Sequence, residues 1–277
     1  MDREPAVAGT FYPASAARLA QDVASLLATS VLPDPNVGPA APAPAPARAL
    51  GVLAPHAGYV YSGAVAGATY ARVLVPERAL VLCPNHTGLG ARVALWPGGA
   101  WRTPVGRVAI DAALTEALAG CPQVEADRAA HLQEHAIEVQ LPFLHARNPA
   151  VRIAALCLGP LGAEEAVELG RAVARVLARL PALLVASSDM SHYVPAAVAR
   201  RLDRRALDRV VALDPAGLHE LVRRERISMC GVVPATVMLA AALALGATSA
   251  ELIGYATSGD VTGDDERVVG YAGAVVR

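Results

Sequence analysis

The chain is predicted to be an α/β protein of one domain, residues 1–277, with a central mixed sheet covered by helices. Two observations carry this. Apolar strand-like runs alternate with longer segments of helical period, which is how a sheet covered on both faces reads. Three of those runs also end in a loop that opens on an imidazole or a carboxylate. They are Val52-Leu53-Ala54-Pro55-His56, Leu80-Val81-Leu82-Cys83-Pro84-Asn85-His86, and Leu183-Leu184-Val185-Ala186 leading into Ser187-Ser188-Asp189-Met190-Ser191-His192. In open α/β sheets ligands gather beyond the carboxyl ends of the strands, so these loops point to one shared site.

Taken in order, the Ala-Pro repeat within residues 33–47 cannot form a ladder or a helix interior and is predicted to be an extended surface insertion. A strand near 49–54 follows, then a small-residue helix near 62–74 and a strand at 79–83. Short strands are expected around 91–96 and 105–109. Asp111 is a good N-cap for the next helix, and another helix is expected over 132–146. A β-rich run at 151–158 precedes a helix over 163–180 and a strand at 182–187. Helices near 195–212, 215–224 and 232–245 come next, and strands at 250–257 and 267–276 close the chain. The arginines between Arg200 and Arg209 are interleaved with Asp203 and Asp208 and read as a solvated helix face.

Bulk properties exclude several classes. Hydrophobic residues are 54 % and charged residues 18 % of the 277, which rules out a disordered chain. A net charge of −1 gives no field for nucleic acid or an anionic membrane. No apolar run reaches the roughly 18–20 residues of a membrane span, and the charged start Met1-Asp2-Arg3-Glu4-Pro5 has no signal-peptide core. Cysteines stand singly at 83, 121, 157 and 230, which suits a reducing cytoplasm better than a disulfide framework. Neither G-x-G-x-x-G nor G-x-x-x-x-G-K-[ST] occurs, so no nucleotide cofactor is expected.

The candidate chemistry lies at the loops. In Ala54-Pro55-His56-Ala57-Gly58-Tyr59 the small residues leave room around an imidazole. Taken alone, His56 fits a capping role as well as a ligand. Cys83-Pro84-Asn85-His86-Thr87-Gly88 is a second such loop, and the pair favours a common site. Met229-Cys230-Gly231 precedes an apolar helix, whose N-terminus lowers a thiol pKa and favours the thiolate that ligates metal; the plainer reading of Cys230 is a buried small hydrophobe. His131-Leu132-Gln133-Glu134-His135 matches the inverted zincin pattern H-x-x-E-H, in which two histidines on one helix face hold zinc. A second grouping pairs His135 with Glu138, three apart on one helix face. Ser187 to His192 offers Ser, Asp and His together, but there is no G-x-S-x-G elbow. Asp189 and His192 bordering a metal pocket is the better use.

Together these stretches resemble the Memo family, known in prokaryotes as AmmeMemoRadiSam system protein B. The likeness runs through Arg3 to Pro13, the Ala-Pro-His-Ala-Gly-Tyr loop, Pro84 to Gly88, Trp101 to Gly106, His135 to Leu144, Ser187 to His192, and Ser228 to Gly231. It implies a fold similar to class III extradiol dioxygenases, non-heme iron enzymes with two histidines and a carboxylate. By the resemblance, the equivalent metal set here is His56, His86 and Cys230, with iron or copper as the ion. His135 and His192 would donate or accept protons, and Asp189 would orient an imidazole or complete the coordination sphere. Thiolate in place of carboxylate softens the site. The resemblance also implies company with radical-SAM and AMMECR-like proteins, and an unknown small molecule or a peptide at the cleft. Three readings result: a cytoplasmic metal-binding redox protein of dioxygenase-like kind; a peptide- or protein-binding module with a vestigial metal cleft; and a zinc hydrolase using His131 and His135.

Overall fold

The structure, a computed structural model, describes residues 1–28 and 45–277. The insertion predicted at 33–47 therefore lies outside the described residues except for its last three, where Ala47 bridges Val73.

Helix α1 (Ala16–Ala28) precedes β1 (Gly51–Ala54), α2 (Tyr59–Ala71) and β2 (Arg78–Pro84). Short strands β3 (Val93–Leu95), β4 (Ala100–Thr103) and β5 (Gly106–Ile110) lead into α3 (Ala112–Ala119). The Asp111 carboxylate caps α3, accepting from Leu114 N at 2.9 Å as its sequence position predicts. After β6 (Glu125–Ala126) the expected helix over 132–146 is broken into three pieces. These are α4 (Ala129–Leu132), a 3-10 turn (Glu138–Gln140) and α5 (Leu141–Arg147). Pro142 sits in the first turn of α5, where a missing N–H costs nothing. The segment 133–137 is pulled off helical geometry by contacts described below. Then come β7 (Arg152–Leu158), α6 (Ala163–Leu177), β8 (Leu183–Ser187), β9 (His192–Val194), α7 (Ala196–Val211), α8 (Pro215–Glu225), α9 (Val232–Ala244), β10 (Ala250–Thr257), α10 (Gly259–Thr262) and β11 (Val268–Val276). Sequence reading missed α1, β4, β6, β9 and α10.

The strands form one mixed sheet in the order β10-β11-β1-β8-β2-β7-β3-β6. Its centre, β1-β8-β2-β7, is parallel, and β11 and β3 flank it antiparallel. Alternation along the strands separates two cores. Leu53, Leu80, Leu82, Leu156 and Leu184 face a layer that includes α3, α6 and α9. Val52, Val81, Cys83, Ala155 and Val185 face α1, α2 and α5. Both faces are covered, which is why the central strands read as continuous apolar runs.

Asp203 corrects one expectation: it is buried, not part of a solvated face. It accepts hydrogen bonds from Ser191 N (3.0 Å), Ser191 Oγ (2.5 Å) and Tyr255 OH (2.7 Å), and so fixes the loop after β8. Asp208 does lie outside, paired with Arg204 at 2.9 Å. No helix among the described residues is long and apolar enough to cross a membrane.

Candidate metal centre

The parallel strands β1, β8 and β2 end side by side, and the residues just past them meet. His56 follows β1 and is 2 % exposed. Its ring orientation and tautomer are fixed by a chain of hydrogen bonds whose polarity has only one solution. Tyr70 OH can only donate to Gln140 Oε1 (2.9 Å). Gln140 Nε2 therefore donates both to Pro55 O and to Ser187 Oγ, each at 2.9 Å. Ser187 spends its own proton on the Ala136 carbonyl (2.7 Å). The remaining contact, His56 Nδ1 to Ser187 Oγ at 2.9 Å, must then be an Nδ1–H donation. The Nε2 lone pair is left free, and it faces Cys230 Sγ at 3.2 Å.

His86 follows β2 and is held by Glu134. The Glu134 carboxylate, fully buried, accepts from His86 N (2.7 Å), His135 N (2.8 Å) and Ala136 N (3.0 Å), and from His86 Nδ1 at 3.0 Å. Nδ1 engaged in this way leaves Nε2 of His86 as the free nitrogen. His135 Nδ1 lies 3.4 Å from the same carboxylate. The three imidazoles pack with centroids 5.0–5.4 Å apart, His86 and His135 stacked and His56 edge-on to both. The Phe11 ring packs tilted against His135, centroids 4.7 Å apart.

Cys230 comes from the turn before α9. Gly231 allows that turn to touch the end of β8: a Cβ there would stand 2.4 Å from Ser187 O and from Ser188 Cβ. The approach lets Asp189 N donate to Cys230 Sγ at 3.2 Å and Gly231 N donate to Ser188 Oγ at 3.0 Å. The Asp189 carboxylate grips the main chain of His56, accepting from His56 N at 2.7 Å. It thus orients the loop rather than an imidazole ring. His192 is anchored by Ser228, its N on Ser228 Oγ (2.7 Å) and its Nδ1 on Ser228 O (2.8 Å).

Burial sets the electrostatics. It pushes His56 well below the usual imidazole range, helped by the neighbouring His135, His86 and His192. His135 is also lowered by burial, against the pull of Glu134. For His86, burial is outweighed by the hydrogen bond and charge of Glu134, and its pKa is raised. Burial lifts Asp189 to about 6 in spite of the His56 N–H. The expected lowering of the Cys230 thiol at a helix start is not what the fold produces. Burial and the Asp189 carboxylate push the thiol up, outweighing the N–H groups of Asp189 and Gly231. Without metal the group is a thiol, and ligation must expel its proton.

One donor atom each from His56, His86 and Cys230 lies within 4.8 Å of the others, and a second such cluster is His86, Glu134 and His135. Nitrogen and sulfur ligands at 2.0 and 2.3 Å from a tetrahedral ion stand about 3.5 Å apart. The spacing of the first cluster could hold one ion. In the second, Glu134 is already saturated by N–H donors and orients His86, a common arrangement behind metal-bound histidine.

A family model described as Memo-like protein matches residues 3–275. The chain belongs to the Memo family. It is 44 % identical to a MEMO1 family protein of Methanopyrus kandleri, with all of this chain and 99 % of the relative covered. It is 42 % identical to one of Aquifex aeolicus (99 % and 98 % covered) and 40 % identical to one of Methanothermobacter thermautotrophicus (98 % and 99 %). An uncharacterized protein from Escherichia coli K12, 16 % identical, superposes with a TM-score of 0.59 over 82 % of this chain and all of that one. That likeness concerns the fold alone.

In this Memo-family chain one alternative falls and one sequence expectation is corrected. The zinc-hydrolase alternative falls because His131, expected to point elsewhere, does not share a site with His135. His131 is fully buried among Trp96 and Trp101, with Nε2 on Ala94 O at 3.0 Å, and α4 ends before Glu134, so no H-x-x-E-H helix face exists. Nor does Glu138 pair with His135. Its carboxylate binds Arg3 Nη1 (2.5 Å), the N–H groups of Ala6 and Val7, and Tyr12 OH, and ties the N-terminal segment down. Arg3 in turn donates to the carbonyls of His131 (2.8 Å) and Glu134 (2.5 Å), which pulls 133–137 out of a helix. Sequence reading missed the orienting roles of Glu134, Gln140 and Ser187. The one available signal was a carboxylate beside two histidines, and it also suits the zincin pattern.

Proposed function

We propose that this Memo-family protein is a metal-binding redox protein that holds iron or copper through His56, His86 and Cys230. The observation that carries the reading is the His56 Nε2–Cys230 Sγ contact of 3.2 Å, with each imidazole's other nitrogen already committed to Ser187 or Glu134. Two imidazoles and a thiolate favour a soft or borderline ion over magnesium or calcium. Such an ion supplies one-electron chemistry and open positions for a further ligand. Around it, His135 and His192 would take or give protons, Asp189 holds the His56 loop, and Phe11 packs against His135. The radical-SAM and AMMECR-like proteins that the family resemblance brings with it are proposed partners, and the cytoplasm is the proposed compartment.

A binding-module reading has one observation in its favour. Tyr61, Leu89, Leu132 and Tyr193 are exposed on the loops and helix ends that carry or flank the centre. Anaerobic titration with Cu(I) and Fe(II) separates the two. Cys230→Ser should weaken Cu(I) binding sharply, because a hydroxyl stays protonated near neutral pH. Cys230→Asp should shift preference toward Fe(II). Equal Cu(I) affinity in wild type and both variants would remove Cys230 from the ligand set and put the binding module first.

A further inference from the structure

The fourth parallel strand, β7, also ends on this side of the sheet, and its end carries no metal-ligating side chain. The turn Leu158-Gly159-Pro160-Leu161-Gly162 instead joins Pro84 and Asn85 and the first residues of α9 around a cavity of about 560 Å³. That size suits a small organic molecule. Cys230 lines the cavity, whereas His56 and His86 do not, so the space adjoins the centre on its thiol side.

The walls define what fits. Leu158, Leu161, Val232 and Val233 are aliphatic, and no acidic side chain lines the space. The charged lining group is Arg223, which is exposed and has no acidic partner among the described residues. Arg224 and Arg205 both bind Glu225, and Arg92 binds Glu165. His219 is buried in the wall, with Nε2 on Leu161 O at 3.0 Å and Nδ1 without a protein partner. A free guanidinium at the mouth of an apolar cleft matches the planar fork of a carboxylate. One cation balances the single charge of a carboxylate, and a phosphate monoester exceeds it.

We infer that this cavity binds a small organic acid, an aliphatic or otherwise apolar body with one carboxylate held by Arg223, and presents the body's far end to the Cys230 side of the centre. Its place as substrate site rests on the metal-centre reading, but the binding itself does not. The test therefore uses metal-free protein with labelled Val and Leu methyl groups, titrated by NMR with sodium hexanoate, hexanamide and inorganic phosphate. Hexanoate should shift the methyls of Leu161, Val232 and Val233. Hexanamide should bind about tenfold more weakly, the loss expected for one charge-assisted hydrogen-bonded pair. Arg223→Gln, a surface substitution, should bring hexanoate down to the hexanamide level. Unmoved cavity methyls, equal binding of acid and amide, or phosphate binding as tightly as hexanoate would overturn the inference. Cu(I) affinity measured on the same wild-type sample reports separately on the centre: its failure would strike the metal reading and leave the hexanoate result standing.

Discussion

At the scale of single residues, the centre depends on side chains that touch no ligand position. Ser187 accepts the Nδ1 proton of His56 because Gln140 and Ala136 leave it no other part to play. Ser187→Ala should release that choice, so that His56 in the metal-free protein samples both tautomers. The ¹⁵N shifts of the ring would read this, from a protonated Nδ1 and bare Nε2 in wild type to averaged values in the variant. Metal affinity should fall by about 10–100-fold, as for other residues that orient metal-bound histidine. A variant ring still protonated at Nδ1 would show that the relay does not set the tautomer. Glu134 acts on His86 through charge as well as position. Glu134→Gln should lower the His86 pKa, now held up by that carboxylate, and NMR titration of the ring would show the direction. The same variant gives the N–H groups of His135 and Ala136 a poorer acceptor, at a stability cost of about 1–3 kcal/mol.

At the scale of elements, the same chemistry depends on how closely helices approach. Helix α9 begins at Val232, two residues after Cys230, and its position is set by α6. Gly170 has no room for a side chain: a Cβ would stand 2.6 Å from Ala240 Cβ and 2.7 Å from Val237 O. Gly170→Val should displace α9 and cost about 1–3 kcal/mol. It should also weaken Cu(I) binding, because the thiol moves with the helix start. Arg171→Ala, which removes only an exposed ion pair with Glu168, is the control. A destabilised variant with wild-type Cu(I) affinity would show that the turn, not the helix, places Cys230. This scale also explains what the sequence revealed. β1, β2, β7 and β8 were legible to within two residues because burial on both faces writes them as unbroken apolar runs. The strand-end residues His56, His86 and Asp189 were legible for the same reason. The 129–147 stretch was not, because its helical period is overridden by Arg3, more than 120 residues away in sequence, which binds the His131 carbonyl and the Glu138 carboxylate. Glu134, Gln140 and Ser187 were opaque as orienting groups because their partners come from other elements.

At the scale of the whole molecule, burial of neutral imidazoles ties stability to pH, and His131 isolates the effect outside the candidate metal centre. Burial lowers its pKa to about 4, only partly relieved by the Ala94 carbonyl, with Arg3 nearby lowering it further. The unfolded chain takes up that proton near 6.5, so between about 4 and 6.5 the unfolded state binds more protons than the fold. Stability therefore rises with pH across that window, is fully present above it, and is lost as pH falls. From neutral pH down to about pH 5 the loss from this one residue is about 2 kcal/mol. His56 and His135 act in the same sense, whereas Asp189 and His86, both raised, oppose it, so the total slope does not identify His131. The difference between wild type and His131→Phe does. Phenylalanine keeps the ring between Trp96 and Trp101 and removes the titrating nitrogens, at the cost of leaving the Ala94 carbonyl unpaired. Urea midpoints of metal-free protein at neutral pH and at about pH 5 should show the variant less stable at neutral pH but losing about 2 kcal/mol less on acidification. Equal losses in the two proteins would mean that His131 takes up its proton within the fold, and that the Trp96–Trp101 pocket admits the charge its burial should exclude.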